Sequence, residues 1–142
     1  EIAFEDLGID CLIVDEAHLF KNLFIETKQQ VKGLPQTDSQ KAMKMYCATQ
    51  YMHQNNFKLY FLTGTPVTNS IAEFYTMLRY MQPKTLSELG LEHFDDWQKA
   101  FTSIVTSEEL DSSGVNYTLV SRLSNLLMPL SLWLFISKMQ TL

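Results

Sequence analysis

An α/β fold built on parallel strands is what this 142-residue sequence predicts, on three observations. Two short runs, Ile9–Val14 with its continuous apolar end and Leu59–Leu62, have the length of buried strands. Each ends abruptly in a polar cluster, Asp15-Glu16-Ala17-His18 after the first and Thr63-Gly64-Thr65-Pro66 after the second. Each is followed by a segment of helical pattern, and the order strand, helix, strand, helix makes the two strands parallel neighbours with right-handed crossovers.

The elements follow in order. The end of the first run, Cys11-Leu12-Ile13-Val14, lacks alternation and predicts a strand buried on both faces. Residues 19–37 show no clear period and contain Gly33 and Pro35, so they read mostly as loop. A helix begins at Asp38 or Ser39, either of which is a good N-cap, and stops at Asn55-Asn56. Its apolar residues (Ala42, Met43, Met45, Tyr46, Cys47, Met52) lie on more than one face, so it should be well covered. The proline at 66 stops the second strand from continuing. A second helix starts near Ser70, where Ser70-x-x-Glu73 has the form of a capping box. Ile71, Phe74, Tyr75 and Leu78 give it one buried face, and Pro83 lies just past its end. Asp95-x-x-Gln98 suggests another capped helix, with Phe94, Trp97 and Phe101 on one side. Ser112-Ser113-Gly114 reads as a turn, Val115, Tyr117 and Leu119 as a strand, and 121–140 as a helix broken at Pro129. Residues 84–142 are thus expected to form a helical extension to a domain spanning 1–142.

Composition narrows the function. With 46% hydrophobic and 19% charged residues, the chain is globular rather than disordered. No apolar run reaches the ~18 residues of a membrane span; the most apolar stretch, 126–136, is shorter and contains Pro129. No charged-then-apolar leader follows Glu1, so no secretory signal is expected. Cys11 and Cys47 sit among apolar neighbours and are expected to be buried, reduced thiols, which fits the cytoplasm. Three histidines and two cysteines without CxxC or HxxxH spacing argue against zinc, and no G-x-S-x-G elbow is present. A net charge of −5 excludes binding of nucleic acid through bulk positive charge. The charge is uneven, however: residues 1–20 hold six acids and no Lys or Arg, and residues 21–58 hold six lysines against Glu26 and Asp38. The net charge therefore leaves room for a local basic face, which could meet nucleic acid or simply be solvated.

In parallel α/β sheets, ligands bind outside the carboxyl ends of the strands. Asp15-Glu16-Ala17-His18 and Thr63-Gly64-Thr65 should therefore open onto one crevice. A strand-end aspartate can hold Mg²⁺ beside a phosphate, and a neighbouring glutamate can orient and deprotonate a water. His18 is close enough to report the state of that site to Thr63 and Thr65, whose hydroxyls exchange partners at little cost. Gly64 would permit backbone conformations closed to other residues. The plainer alternative is that Asp15 and Glu16 end a strand on the surface.

Asp15-Glu16-Ala17-His18 resembles motif II (the Walker B, or DEAH, box) of superfamily-two helicases. Thr63-Gly64-Thr65-Pro66 with Asn69 resembles motif III of the Swi/Snf-type ATPases, and the stretch Asp15–Asn22 is similar to the same group, in which Lys-Asn closely follows the box. Ile25–Lys28, Gly33–Lys41 and Ser70–Pro83 are similar to a narrower set, the very large helicase–DNA methyltransferase proteins of phages and conjugative elements. The resemblance covers residues 9–101 and fades after about 120. It implies a RecA-like helicase lobe with added helices. It assigns Asp15 to Mg²⁺ and ATP, Glu16 to ATP and the hydrolytic water, and His18, Thr63, Gly64 and Thr65 to coupling hydrolysis to movement on DNA. Lys21, Asn22 and Asn69 match family positions; Lys21 could equally be a surface lysine and Asn69 a helix cap.

One part of the family pattern is missing. No G-x-x-x-x-G-K-[ST] phosphate loop occurs in the 142 residues. A helicase core takes arginines for the transferring phosphate from a second domain; this chain has only Arg79 and Arg122, of which Arg79, in an amphipathic helix, is expected to make a surface contact. The resemblance then implies the later part of a first lobe, with the phosphate loop upstream of residue 1 and the second lobe downstream of residue 142. Such a chain should not hydrolyse ATP alone. Its partners would be DNA, the remainder of the core and, through uncovered apolar surface, another copy. Two rivals stand beside this reading: a non-catalytic interaction module derived from a helicase lobe, and a metal-dependent phosphohydrolase or nuclease using Asp15. The second leaves Thr63-Gly64-Thr65-Pro66 unexplained.

Overall fold

The computed structural model describes residues 3–35, 39–65, 67–68, 70–111 and 113–124. It is a mixed α/β arrangement. Strands β1 (Cys11–Val14) and β2 (Lys58–Phe61) pair in parallel, with Cys11 opposite Lys58 and Val14 opposite Phe61. Between them lies α1 (Gln40–Gln54), which packs on β2 and on α2 (Ala72–Met81).

The two-stranded sheet corrects the expectation of strands buried on both faces. Successive side chains alternate across a strand. Val14 is buried, and Leu12, Leu59 and Phe61 are half-buried towards the helices. Cys11, Ile13, Lys58 and Tyr60 face outwards, Ile13 being 62% exposed. Among the described residues helices cover one face, so an apolar run that would suit a doubly covered sheet has its other face exposed. The same geometry corrects the expectation for the cysteines: Cys11 and Cys47 are free and exposed.

Ser39 caps α1 as expected, its Oγ accepting the Ala42 N–H, whereas the alternative cap at 38 lies outside the described residues. Asn56, in the left-handed region at φ +53°, follows the end of the helix. The helix is less covered than its composition suggested. Ala42, Thr49 and Met52 are buried, but Met43 and Cys47 are exposed.

α2 is the central helix. Ala72, Glu73, Tyr75, Thr76, Met77, Leu78 and Tyr80 are all buried, more than the single face expected. At its start Ser70 Oγ accepts the Ala72 N–H, while the Glu73 carboxylate reaches Thr68 and Lys21. Pro83 opens a further short helix that the sequence reading missed, α3 (Pro83–Glu88). α4 (Phe94–Phe101) carries the expected aromatic face, but its N-cap is His93 rather than Asp95. Asp95 instead accepts from the Thr27 hydroxyl and, at 3.2 Å, from the Lys28 N–H, and the Thr27 bond chiefly holds its carboxyl below the usual range.

Two apolar clusters flank α2. Tyr75, Leu78, Leu86, Phe94, Trp97 and Phe101 form one, with the Tyr75 ring 5.3 Å from both Phe94 and Trp97. Leu23, Ala42, Met77 and Tyr80 form the other, which Phe61 of β2 joins. Leu23 and Ile25 anchor the loop after β1, one in each cluster.

The expected helical extension holds only as far as α4. Residues 103–124 form an antiparallel hairpin, β3 (Ser103–Leu110) and β4 (Tyr117–Ser124), with Glu109 held by Arg122 at 2.8 and 2.9 Å. The strand expected near Tyr117 is present. Residues 121–124 continue it rather than starting a helix; the rest of that proposed helix and the 126–136 stretch lie outside the described residues. No helix among the described residues is long and apolar enough to cross a membrane.

Candidate functional site at the strand ends

The two strand ends meet as parallel pairing requires. Leu62 N–H donates to Val14 O at 2.9 Å, and Ala17 N–H donates back to Leu62 O at 3.0 Å. Between these bonds the chain turns sharply, with Glu16 in the left-handed region at φ +50°, ψ +46°. A side chain there costs about 1–2 kcal/mol, and such strain tends to collect at functional sites. Asp15 Oδ1 accepts the Glu16 N–H at 2.9 Å, and the Glu16 carbonyl accepts the Leu19 N–H to open a single 3-10 turn, Ala17–Phe20. Ala17, at this crossing, is wholly buried.

The turn aims His18 at the second strand. Its Nδ1 lies 3.0 Å from Glu16 Oε2 and 3.2 Å from Thr63 Oγ1, and Thr63 Oγ1 accepts the Thr65 N–H at 3.1 Å. One imidazole nitrogen therefore stands between the acid on one strand end and the hydroxyl on the other. An Nδ1 proton would be shared between Glu16 Oε2 and Thr63 Oγ1, whereas an unprotonated Nδ1 can accept from the Thr63 hydroxyl. The structure thus brings Glu16, His18, Thr63 and Thr65 into one hydrogen-bonded chain, with Asp15 at its margin. Asp15 and Glu16 are both exposed.

Gly64 departs from expectation. Its backbone is not in the positive-φ region, and a Cβ there would meet no atom within 4 Å. Nothing in this conformation requires glycine. Asn69 and the proline at 66 lie outside the described residues.

Lys21 is not a simple surface lysine. Its Nζ lies 3.0 Å from Glu73 Oε1, with the two side chains 14% and 10% exposed. The sequence reading placed Glu73 in a capping box and so missed it. Arg79, expected at the surface, is half-buried against Tyr46 and Tyr75 and donates to Phe24 O at 2.6 Å. In the basic stretch, Lys32 pairs with Glu109 at 3.5 Å and Lys41 lies over the Phe20 ring. A cleft of about 320 Å³ lies elsewhere, between Tyr46, Gln50, Tyr75 and Arg79, and no strand-end residue lines it. No group of three or more His, Cys, Asp or Glu side chains suited to a metal occurs among the described residues.

The family described as a probable helicase domain matches residues 1–121. The chain belongs to that family. It is 33% identical over 104 residues to the defense against restriction protein B of Escherichia phage P1, covering 69% of this chain and 5% of the relative. It is 28% identical over 126 residues to Helicase SWR1 of Eremothecium gossypii, covering 83% of this chain and 8% of that protein. Helicase SWR1 of Yarrowia lipolytica is 25% identical over 124 residues, covering 83% and 6%. The chain therefore spans less than a tenth of the length of these curated relatives. No solved structure matches it.

Proposed function

We propose that this chain is the part of an ATP-dependent DNA helicase or translocase that carries the hydrolysis and coupling residues, within a longer polypeptide. The observation that carries the reading is His18 Nδ1 standing between Glu16 and Thr63, at 3.0 and 3.2 Å. In this reading Glu16 orients and deprotonates the attacking water. His18 transmits its state to Thr63 and, through the Thr63 hydroxyl, to the Thr65 amide. Asp15 is an exposed hard oxygen donor beside the strand ends, which suits Mg²⁺; that ion takes one or two carboxylates and completes its shell with phosphate and water. When bound it would neutralise charge developing on the phosphates. The parallel β1–β2 pair and the helicase relatives support a RecA-like lobe. The phage relative supports a place among mobile-element proteins, with a methyltransferase as a further expectation. The two free cysteines fit a cytoplasmic setting.

The reading is tested by ATP turnover. The 142-residue chain alone should show none, and a longer protein containing it should turn over ATP when DNA is added. ATP turnover by the isolated chain that Glu16→Gln abolishes would contradict the proposed division of the site. The bare sheet face bearing Ile13 and Tyr60 favours one alternative, a non-catalytic module that docks another protein or a second copy. That alternative requires the longer protein to lack turnover altogether.

A further inference from the structure

The segment after β1 and the loop after β2 are joined by more than the Ala17–Leu62 backbone bond and the His18–Thr63 contact. Farther from the strands, Lys21 and Glu73 form a nearly buried ion pair at 3.0 Å. Glu73 Oε2 accepts the Thr68 backbone N–H at 2.6 Å and the Thr68 hydroxyl at 3.3 Å. Lys21 Nζ also donates to Thr68 Oγ1. Three pieces of chain converge here: the residue closing the turn that holds His18, the far end of the loop after β2, and the first turn of α2. Both side chains are largely shielded from water, so removing Lys21 takes a compensating positive charge from Glu73 and leaves its bonds to Thr68 without that support. Glu73 also sits where the helix dipole favours a carboxylate.

We propose that Lys21 and Glu73 are positioning residues whose ion pair pins Thr68, and with it the far end of the post-β2 loop, to the segment that carries Glu16 and His18. The loop is then held near one end by His18 at Thr63 and at the other by Glu73 at Thr68. Between these points Gly64, Thr65 and Val67 are exposed, and the position a Cβ would take on Gly64 is open. A change in the His18–Thr63 contact is thereby confined to this short span instead of spreading into α2. The pinning is a property of the fold and requires no nucleotide; its value for coupling rests on the proposed function.

The test is amide hydrogen exchange, followed by NMR, in the 142-residue chain as wild type, Lys21→Met, Lys21→Arg and Glu73→Gln. Lys21→Met should raise exchange at the Thr68 and Thr65 amides at least tenfold, while the Leu62 and Lys58 amides of the sheet change less than twofold. Lys21→Arg should keep Thr68 within threefold of wild type. Unchanged exchange at Thr68 overturns the proposal, and so does an equal rise at Leu62 and Lys58, which would make the pair general support for the fold. Should Lys21→Met fail to fold, Glu73→Gln keeps the shape and one acceptor oxygen. It should raise Thr68 exchange at least threefold, and no rise overturns the proposal. In a longer protein that turns over ATP, Lys21→Met should lower kcat about tenfold with KM for ATP within twofold. A wild-type protein without turnover would defeat the hydrolysis reading while leaving the exchange result, and the pinning, in place.

Discussion

Tyr80→Phe isolates one hydroxyl that ties three elements together. The Tyr80 ring is wholly buried, and its OH reaches Phe20 O at 2.9 Å and Ala42 O at 3.1 Å. The first acceptor ends the turn that carries His18, the second lies in α1, and Tyr80 itself belongs to α2. Phenylalanine keeps the ring and its contacts with Tyr46 and Phe61. What is lost is one donor shared by two carbonyls. The Ala42 carbonyl lies inside a helix, where the amide four residues on provides a second partner. The Phe20 carbonyl is the one left wanting. A net hydrogen bond contributes about 1 kcal/mol, and an unsatisfied buried acceptor adds about 1 kcal/mol or more, so the expected loss is about 1–2 kcal/mol. Urea unfolding should show a lower midpoint at unchanged slope. A loss below about 0.3 kcal/mol would refute the reasoning, because it would mean that water already serves the Phe20 carbonyl.

Three further outcomes follow from the same geometry. Burial pushes the Tyr75 hydroxyl up to about 12 and raises that of Tyr80 as well. A group whose folded pKa exceeds its unfolded value loses its stabilising contribution as pH rises, so stability should be flat below pH ~10 and fall between ~10 and ~12. Chemical denaturation across that range should show a shallower fall in Tyr75→Phe. Ile13→Lys should change stability by less than about 0.5 kcal/mol, since Ile13 is 62% exposed; a loss of several kcal/mol would mean that this face of the sheet is covered. Glu16→Gly relieves the left-handed backbone at φ +50° and should stabilise the chain by up to about 1 kcal/mol in thermal melts, even as it removes the proposed base.

Much of the site was legible because polar residues closing apolar strands are a local signal. Asp15, Glu16, His18, Thr63 and Thr65 could be placed on one edge from strand order alone, and the parallel register confirms that placement. Gly64 misled because a glycine in a motif need not use its conformational freedom in every state. Glu73 was misread because a local rule, the capping box, competed with a partner 52 positions away at Lys21, and sequence spacing carries no signal for such a pair. Burial failed for a different reason: an apolar strand reads the same whether one face or two are covered, and Cys11 and Ile13 fall on the uncovered face. The β3–β4 hairpin was half seen, because Ser103, Thr106, Ser107, Glu108 and Glu109 make β3 polar along an exposed surface.

The central claim is that Glu16 is the base for water attack on ATP. It is tested most directly by steady-state ATP turnover, with nucleotide binding measured in parallel, in a longer DNA-stimulated protein containing this chain. Glu16→Gln removes the basic carboxylate and keeps the shape of the side chain. The account predicts turnover reduced by about 10²–10⁴-fold with ATP affinity retained. Turnover within a few-fold of wild type would contradict it.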